Sequence, residues 1–241
     1  MPSLPLHTIL FLDIETVSQY ATFDEVPEEW KALWRYKAET LLRDKQPLTP
    51  DDIYGRAAIY AEFGKIICIS CGVLSGSGTG KKLMLKSFHG NDERLLLEEF
   101  SEMLRKWSPD GGQRFLCAHN GKEFDFPYLC RRMIIHGMTI PPMLNLSGKK
   151  PWEIPHIDTM ELWKFGEYKS FISLNLLAHA LGVPTPKDDI DGSQVGEVYW
   201  AQRDLPRIVT YCQKDVVTVA QVYLRMNGEP PIHPENIEIK L

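Results

Sequence analysis

Thr8-Ile9-Leu10-Phe11-Leu12-Asp13-Ile14-Glu15-Thr16 is the stretch on which the reading of this chain turns. An apolar run of this length, bounded by polar residues, reads as a strand buried on both faces, as in the interior of a helix-covered sheet. Side chains alternate along a strand, so Asp13 and Glu15 project from the same face. Two carboxylates at the end of a buried strand repel each other and lose hydration, a cost that a divalent cation relieves. A metal site is the first expectation.

Further along the chain, residues 65–74 and 82–88 read as a hairpin around the Gly/Ser-rich turn 75–80. Gly80-Lys81-Lys82 imitates a phosphate loop, but Ser75 stands where the first glycine belongs, no Ser or Thr follows the lysine, and a strand comes next. Asn91 is placed as the cap of a helix with the apolar face Leu95, Leu96, Phe100, Met103, Leu104 and Trp107, ended by the break at 109–112. Strands are expected at 114–118 and 154–158, and a helix from Asp125 to about His136, stopped by Gly137. A Ser173-capped helix over 174–181, a loop over 186–198, a last helix from near Pro206 to Asn227, and a Pro-rich tail over 228–241 complete the pattern.

Residues 19–63 form a polar, aromatic-rich insertion. Pro27-Glu28-Glu29 starts one amphipathic helix, and Thr49 with Pro50 starts a second. Its lysines and arginines (Lys31, Arg35, Lys37, Arg43, Lys45) read more simply as a solvated face than as a lid or a platform for bases. No repeat or linker divides the chain, so one domain over 1–241 is expected.

The 241 residues are 44% hydrophobic and 24% charged, with a formal net charge of −5. Those are globular values. The overall field does not attract polyanions, so nucleic-acid binding requires a local basic patch or metal ions and should be distributive. The five cysteines are scattered in apolar runs, which predicts buried, reduced thiols and no structural zinc at Cys68-x-x-Cys71. The N-terminus shows no basic region with a cleavage site, and no apolar stretch reaches about 18 residues. A cytoplasmic protein with no membrane contact is the expectation.

The last helix carries Tyr211 and Asp215, four residues apart and on one face, at the edge of the stripe Ile208, Val209, Cys212, Val216, Val219 and Tyr223. Asp215 therefore faces the sheet. Asp125 follows Phe124 where a loop enters a helix. Each motif alone has an ordinary reading as a cap, an ion pair or a chance spacing. Taken in order, four carboxylates at element ends suit two divalent cations about 3.5–4 Å apart that clamp a phosphodiester. Oxygen ligands favour Mg²⁺ or Mn²⁺. With an ordinary pKa near 10, Tyr211 is a poor base and is assigned to orienting the attacking water.

Phe-Leu-Asp13-Ile-Glu15-Thr, His-Asn-Gly-Lys-Glu-Phe-Asp125 and Tyr211-x-x-x-Asp215 resemble the three exonuclease motifs of the DEDD superfamily, in its DEDDy subgroup. The likeness is nearest to predicted 3′→5′ exonucleases related to the proofreading domain of family B DNA polymerases. It implies an α/β, ribonuclease H-like fold with a five-stranded mixed β-sheet flanked by helices. By the same likeness Asp13, Glu15 and Asp215 hold the catalytic metal, Asp13 bridges to a second, and Asp125 acts through water. Thr210 stands where the histidine subgroup has its histidine.

Asn120 and Phe124 are expected at the terminal nucleotide, and Thr16 and Val17 at the 3′-terminal sugar or base. Asp158 is assigned a structural hydrogen-bonding role. The expected activity is metal-dependent 3′→5′ hydrolysis of single-stranded DNA to nucleoside 5′-monophosphates. An exoribonuclease of short RNA and a non-catalytic nucleic-acid-binding module are the alternatives.

Overall fold

The opening run forms β1 (Ile9–Ser18). After it come α1 (Glu28–Leu42), β2 (Gly64–Ser75), β3 (Lys82–His89), α2 (Glu93–Trp107), β4 (Phe115–Ala118), α3 (Asp125–Ile135), β5 (Ile157–Asp158) and α4 (Thr159–Lys164). The remaining elements are α5 (Leu174–Ala180), the single turn α6 (Val195–Glu197), α7 (Leu205–Met226) and β6 (Ile237–Lys240). The computed structural model describes residues 4–42, 48–108, 113–168, 170–185 and 190–240. The expected break at 109–112, Arg43, Lys45 and the start of the 186–198 loop lie outside them.

The strands make one mixed sheet in the order β5-β4-β1-β2-β3-β6. β1 and β3 each pair antiparallel with β2 between them, while β4 and β5 run parallel to β1. This is the expected α/β arrangement of a mixed sheet flanked by helices, with one correction, a sixth strand. The tail reads in sequence as a Pro-rich extension, yet β6 adds itself parallel to β3. Side chains of α7 and of the turn before β3 help to seat it. Gln221 of α7 holds both the N–H and the carbonyl of Ile232, and the fully buried Lys81 pairs with Glu229 at 2.9 Å. An edge strand that would otherwise expose its ladder is thereby covered.

Helices pack on both faces of the sheet, and β1 explains how. Leu10, Leu12 and Ile14 enter a core with Leu97 and Phe100 of α2 and Phe126 and Leu129 of α3. Ile9 and Phe11 enter another with Val216, Val219 and Tyr223 of α7. The two-residue alternation puts Asp13 and Glu15 on the α7 face.

Several local expectations are corrected. The cap of α2 is Asp92, whose carboxylate accepts from Leu95 N–H; Asn91 instead accepts from the Tyr199 hydroxyl. β5 is only two residues long, and the 186–198 stretch, expected as loop, contains α6 near its end and leads into a π-helical turn over Val198–Gln202. Val195, Val198 and Tyr199 at helical spacing bury against Val17, Ile67 and Ile208, an apolar stripe too short to stand out from the polar residues around it.

Thr49 and Asp52 do form a reciprocal cap, but the α-helix expected there is absent. The Pro50 carbonyl, which such a helix needs for Tyr54 N–H, is taken by Trp34 Nε1 at 2.8 Å. Tyr54 N–H turns to the Asp51 carbonyl, and a 3-10 segment runs over Tyr54–Ile59.

Trp34 is wholly buried against Tyr54 and Phe63 in a small core that belongs to the insertion, with Phe23, Val26 and Ala38. Trp34→Ala is expected to cost about 3–5 kcal/mol. Hydrogen exchange should show the loss concentrated in residues 23–63; protection lost uniformly across the sheet would contradict a separate satellite core. Among the described residues no helix is long and apolar enough to cross a membrane.

Candidate active site

Asp13 and Glu15 lie in the middle of β1, not at the strand end expected from sequence, because the pairing with β2 runs on to Ser18; they face Ser70 and Cys68 across the ladder. Directly after Glu15 the register shifts by one residue, a bulge whose extra residue is Ile67 of β2. Burial pushes the Asp13 carboxyl well up, and the charges of Glu15, Asp215 and Asp125 push it further. Glu15 is raised well above the carboxylate range by burial, then by Asp215, Cys68 and Asp125. Burial and like charge thus raise both carboxyls together.

α7 supplies the opposite wall. Its capping Asp204 accepts from Arg207 N–H, and the helix presents Tyr211, Cys212 and Asp215 to β1. The Tyr211 hydroxyl hydrogen-bonds to Asp215. Burial and the charges of Asp215, Glu15 and Asp13 hold that phenol far above its ordinary pKa, so it keeps its proton at neutral pH.

α3 brings the fourth acid. Asp125 opens the helix, where its carboxylate accepts from its own N–H and from that of Ile14. Ile14 N–H is within reach because β1 parts from β4 beyond Phe11. Burial, opposed by those two bonds, pushes Asp125 up to about 7, with Asp158 and Asp215 adding to the rise. All four acids predicted from the sequence thus act on one another electrostatically.

The family model described as a predicted 3′-5′ exonuclease related to the exonuclease domain of PolB matches residues 59–229. This chain belongs to that family. The match takes in Asp125, Tyr211 and Asp215 and begins after Asp13 and Glu15. A DNA polymerase of Pyrococcus glycovorans is 22% identical over 138 residues, covering 52% of this chain and 17% of that protein. The family B DNA polymerase of Pyrobaculum calidifontis aligns in structure with a TM-score of 0.48 and 16% identity, over 95% of this chain and 26% of that one. The chain thus spans about a quarter or less of the length of either polymerase.

Around the acids, the substrate contacts expected from sequence fare unevenly. Thr16 is partly exposed, and its side chain bonds to the Tyr128 hydroxyl. Val17 is corrected: its side chain is wholly buried against Ile67 and Ile208, which leaves it no face for a substrate. Alternation along β1 is the reason, since Val17 follows Asp13 and Glu15 onto the α7 face, where Ile208 covers it. Asn120 sits in the left-handed region at φ 63° and closes the turn through its carbonyl, which accepts from Glu123 and Phe124 N–H. Its Oδ1 is buried with no protein partner among the described residues, while Phe124 is half-buried against Tyr128. Asp158 has the structural role expected, accepting from Asn120, Lys122, Met160 and Glu161 N–H.

Sequence reasoning missed Cys212 and Cys68. The Cys212 thiol reaches Asp13 Oδ2 at 3.4 Å, and donor atoms of Asp13, Glu15 and Cys212 lie within 4.8 Å of one another. Cys68 packs against Cys212 beneath them. The three-residue spacing of Cys212 and Asp215 was the available signal. Burial, first, and neighbouring Cys68 push the Cys212 thiol well up, so it stays protonated and serves as a hydrogen-bond donor to Asp13.

Proposed function

We propose that this protein is a divalent-cation-dependent 3′→5′ exonuclease of the DEDDy type that removes nucleoside 5′-monophosphates from single-stranded DNA. The observation that carries this reading is the buried, mutually repelling set of Asp13, Glu15, Asp125 and Asp215, gathered by β1, α3 and α7. Such a set fits hard cations of the Mg²⁺ or Mn²⁺ kind, because its donors are carboxylate oxygens and its upward shifts vanish when a cation displaces the protons. Asp13, Glu15 and Asp215 would hold the first ion, and Asp13 with Asp125 would address the second. Bound there, the ions would acidify water and neutralise charge on the phosphodiester.

The chain's own groups do the positioning. With its proton committed to Asp215, the Tyr211 hydroxyl offers a lone pair that accepts a hydrogen bond from the attacking water and aligns it with phosphorus. Tyr211 is thus an orienting group and not a base. The water loses its proton to solvent, and the departing 3′-oxygen of the shortened strand gains one.

Hydrolysis of 5′-labelled single-stranded DNA and matched RNA, with Mg²⁺, Mn²⁺ or chelator, tests this. Laddering from the 3′ end that stops with chelator is the expected result; its absence on DNA in both metals overturns the reading, and preferred laddering of RNA reassigns the substrate. Tyr211→Phe should lower kcat by roughly 10²-fold at little change in KM, the cost of a misaligned nucleophile. Undiminished kcat would remove Tyr211 from the mechanism.

A further inference from the structure

A cavity of about 430 Å³, inside the range of small-ligand pockets, lies between the insertion and α3, and the four acids are not among the residues that line it. The insertion gives it an aromatic wall of Tyr20, Trp30, Tyr54 and Phe63. Trp30 and Phe63 meet edge to face with ring centroids 5.9 Å apart, so the ring that offers its edge has neither face stacked by the other. Such walls suit a planar ring.

α3 contributes Arg132 and His136. Both are tied to Glu93, Arg132 through Nε and Nη2 and His136 through Nε2. The Arg132 charge thus has its own counter-charge, and among the described residues that line the cavity none offers an unpaired lysine or arginine to a phosphate. Two polar groups remain for a ligand. Gln19, held by its backbone N–H to the Phe63 carbonyl, keeps its side-chain amide unbonded among the described residues. Glu62 is exposed on the rim. A side-chain amide sets a donor beside an acceptor, the pattern that pairs with N6 and N7 of adenine. A carboxylate accepts from ribose hydroxyls. Aromatic faces, an amide for the ring edge and no cation for a phosphate together describe an adenine nucleoside.

We propose that this cavity binds an adenine nucleoside, with the base against Trp30 and Phe63, its N6/N7 edge at Gln19 and its ribose toward Glu62. The inference goes beyond the exonuclease reading and does not depend on it. A ligand there joins the insertion to α3, the helix that opens on Asp125.

Calorimetry of adenosine with the full chain in chelator tests this, since without cation or phosphate nothing draws the ligand to the acids. Adenosine should bind. Guanosine, which presents two acceptors where adenine has a donor and an acceptor, should bind at least about tenfold more weakly. Gln19→Ala, at an exposed position, should weaken adenosine about tenfold without lowering the melting temperature. Ile135→Trp, exposed and on the cavity wall, should weaken it at least as much by filling the space. No binding of adenosine up to about 1 mM, guanosine held as tightly, or an affinity indifferent to both variants each overturns the proposal. Hydrolysis plays no part in these measurements, so the exonuclease reading stands or falls separately.

Discussion

Asp13→Asn should lower metal-dependent nuclease activity by roughly 10³-fold or more, since a cation ligand at the reacting phosphate supplies several kcal/mol of transition-state stabilisation. The same change should raise thermal stability in chelator. Asp13 is buried beside Glu15, with Asp215 and Asp125 adding charge, and its folded pKa lies well above the ordinary aspartate value of 3.8. A folded state that holds its protons more tightly than the unfolded state loses stability as pH rises from the unfolded towards the folded pKa. The advantage of Asp13→Asn over wild type in chelator should therefore grow from about pH 4 to neutrality. Mn²⁺ should stabilise the wild type more than the variant. Calorimetric melts across that pH range, with and without Mn²⁺, check both statements. A wild type more stable than Asp13→Asn at pH 7 in chelator would mean that the acids are relieved by something within the chain.

The second large effect lies outside the site. Glu93 of α2 is buried and accepts from Ile66 N–H of β2, from Arg132 Nε and Nη2 of α3, and sits 2.8 Å from His136 Nε2. Arg132 also donates to the Ala61 carbonyl of the insertion. One ion pair thus ties α2, α3, β2 and the insertion together. Arg132→Met removes the partner and leaves Glu93 in the interior, a change that costs about 3–5 kcal/mol. For a chain of this size the melting temperature should drop by roughly 10 °C. Adding Glu93→Leu should recover much of it, because a buried pair replaced as a unit by apolar groups is often neutral. Thermal melts of the single and double variants decide this. A single variant within 2 °C of wild type, where 2 °C is about the effect of a surface change, would show that water reaches Glu93.

Asp13 and Glu15 share a strand face, and Tyr211 and Asp215 a helix face, by periods of two and about 3.6 residues, which any short window of sequence displays. The buried character of β1, and with it the helix-covered sheet, comes from an unbroken apolar run. Asp125 was legible only through the company it keeps in order along the chain, since nothing local distinguishes an acid at a loop-helix junction.

Other features exist only in the packed chain. The six-strand count depends on Lys81 and Gln221 capturing a tail whose prolines read as irregular. The missing second helix of the insertion depends on Trp34 claiming the Pro50 carbonyl from 16 residues away. Val17 is closed off because α7 and the turn near 199 pack over it, and a cavity beside Thr16 exists because residues near 55 and near 196 meet over β1. Periodicity along one element records which way a side chain points. It does not record which partner stands opposite after packing, because that choice is settled by contacts whose members are far apart in sequence. Local pattern was therefore enough to show which acids share a face, while long-range packing placed Cys212 beside them.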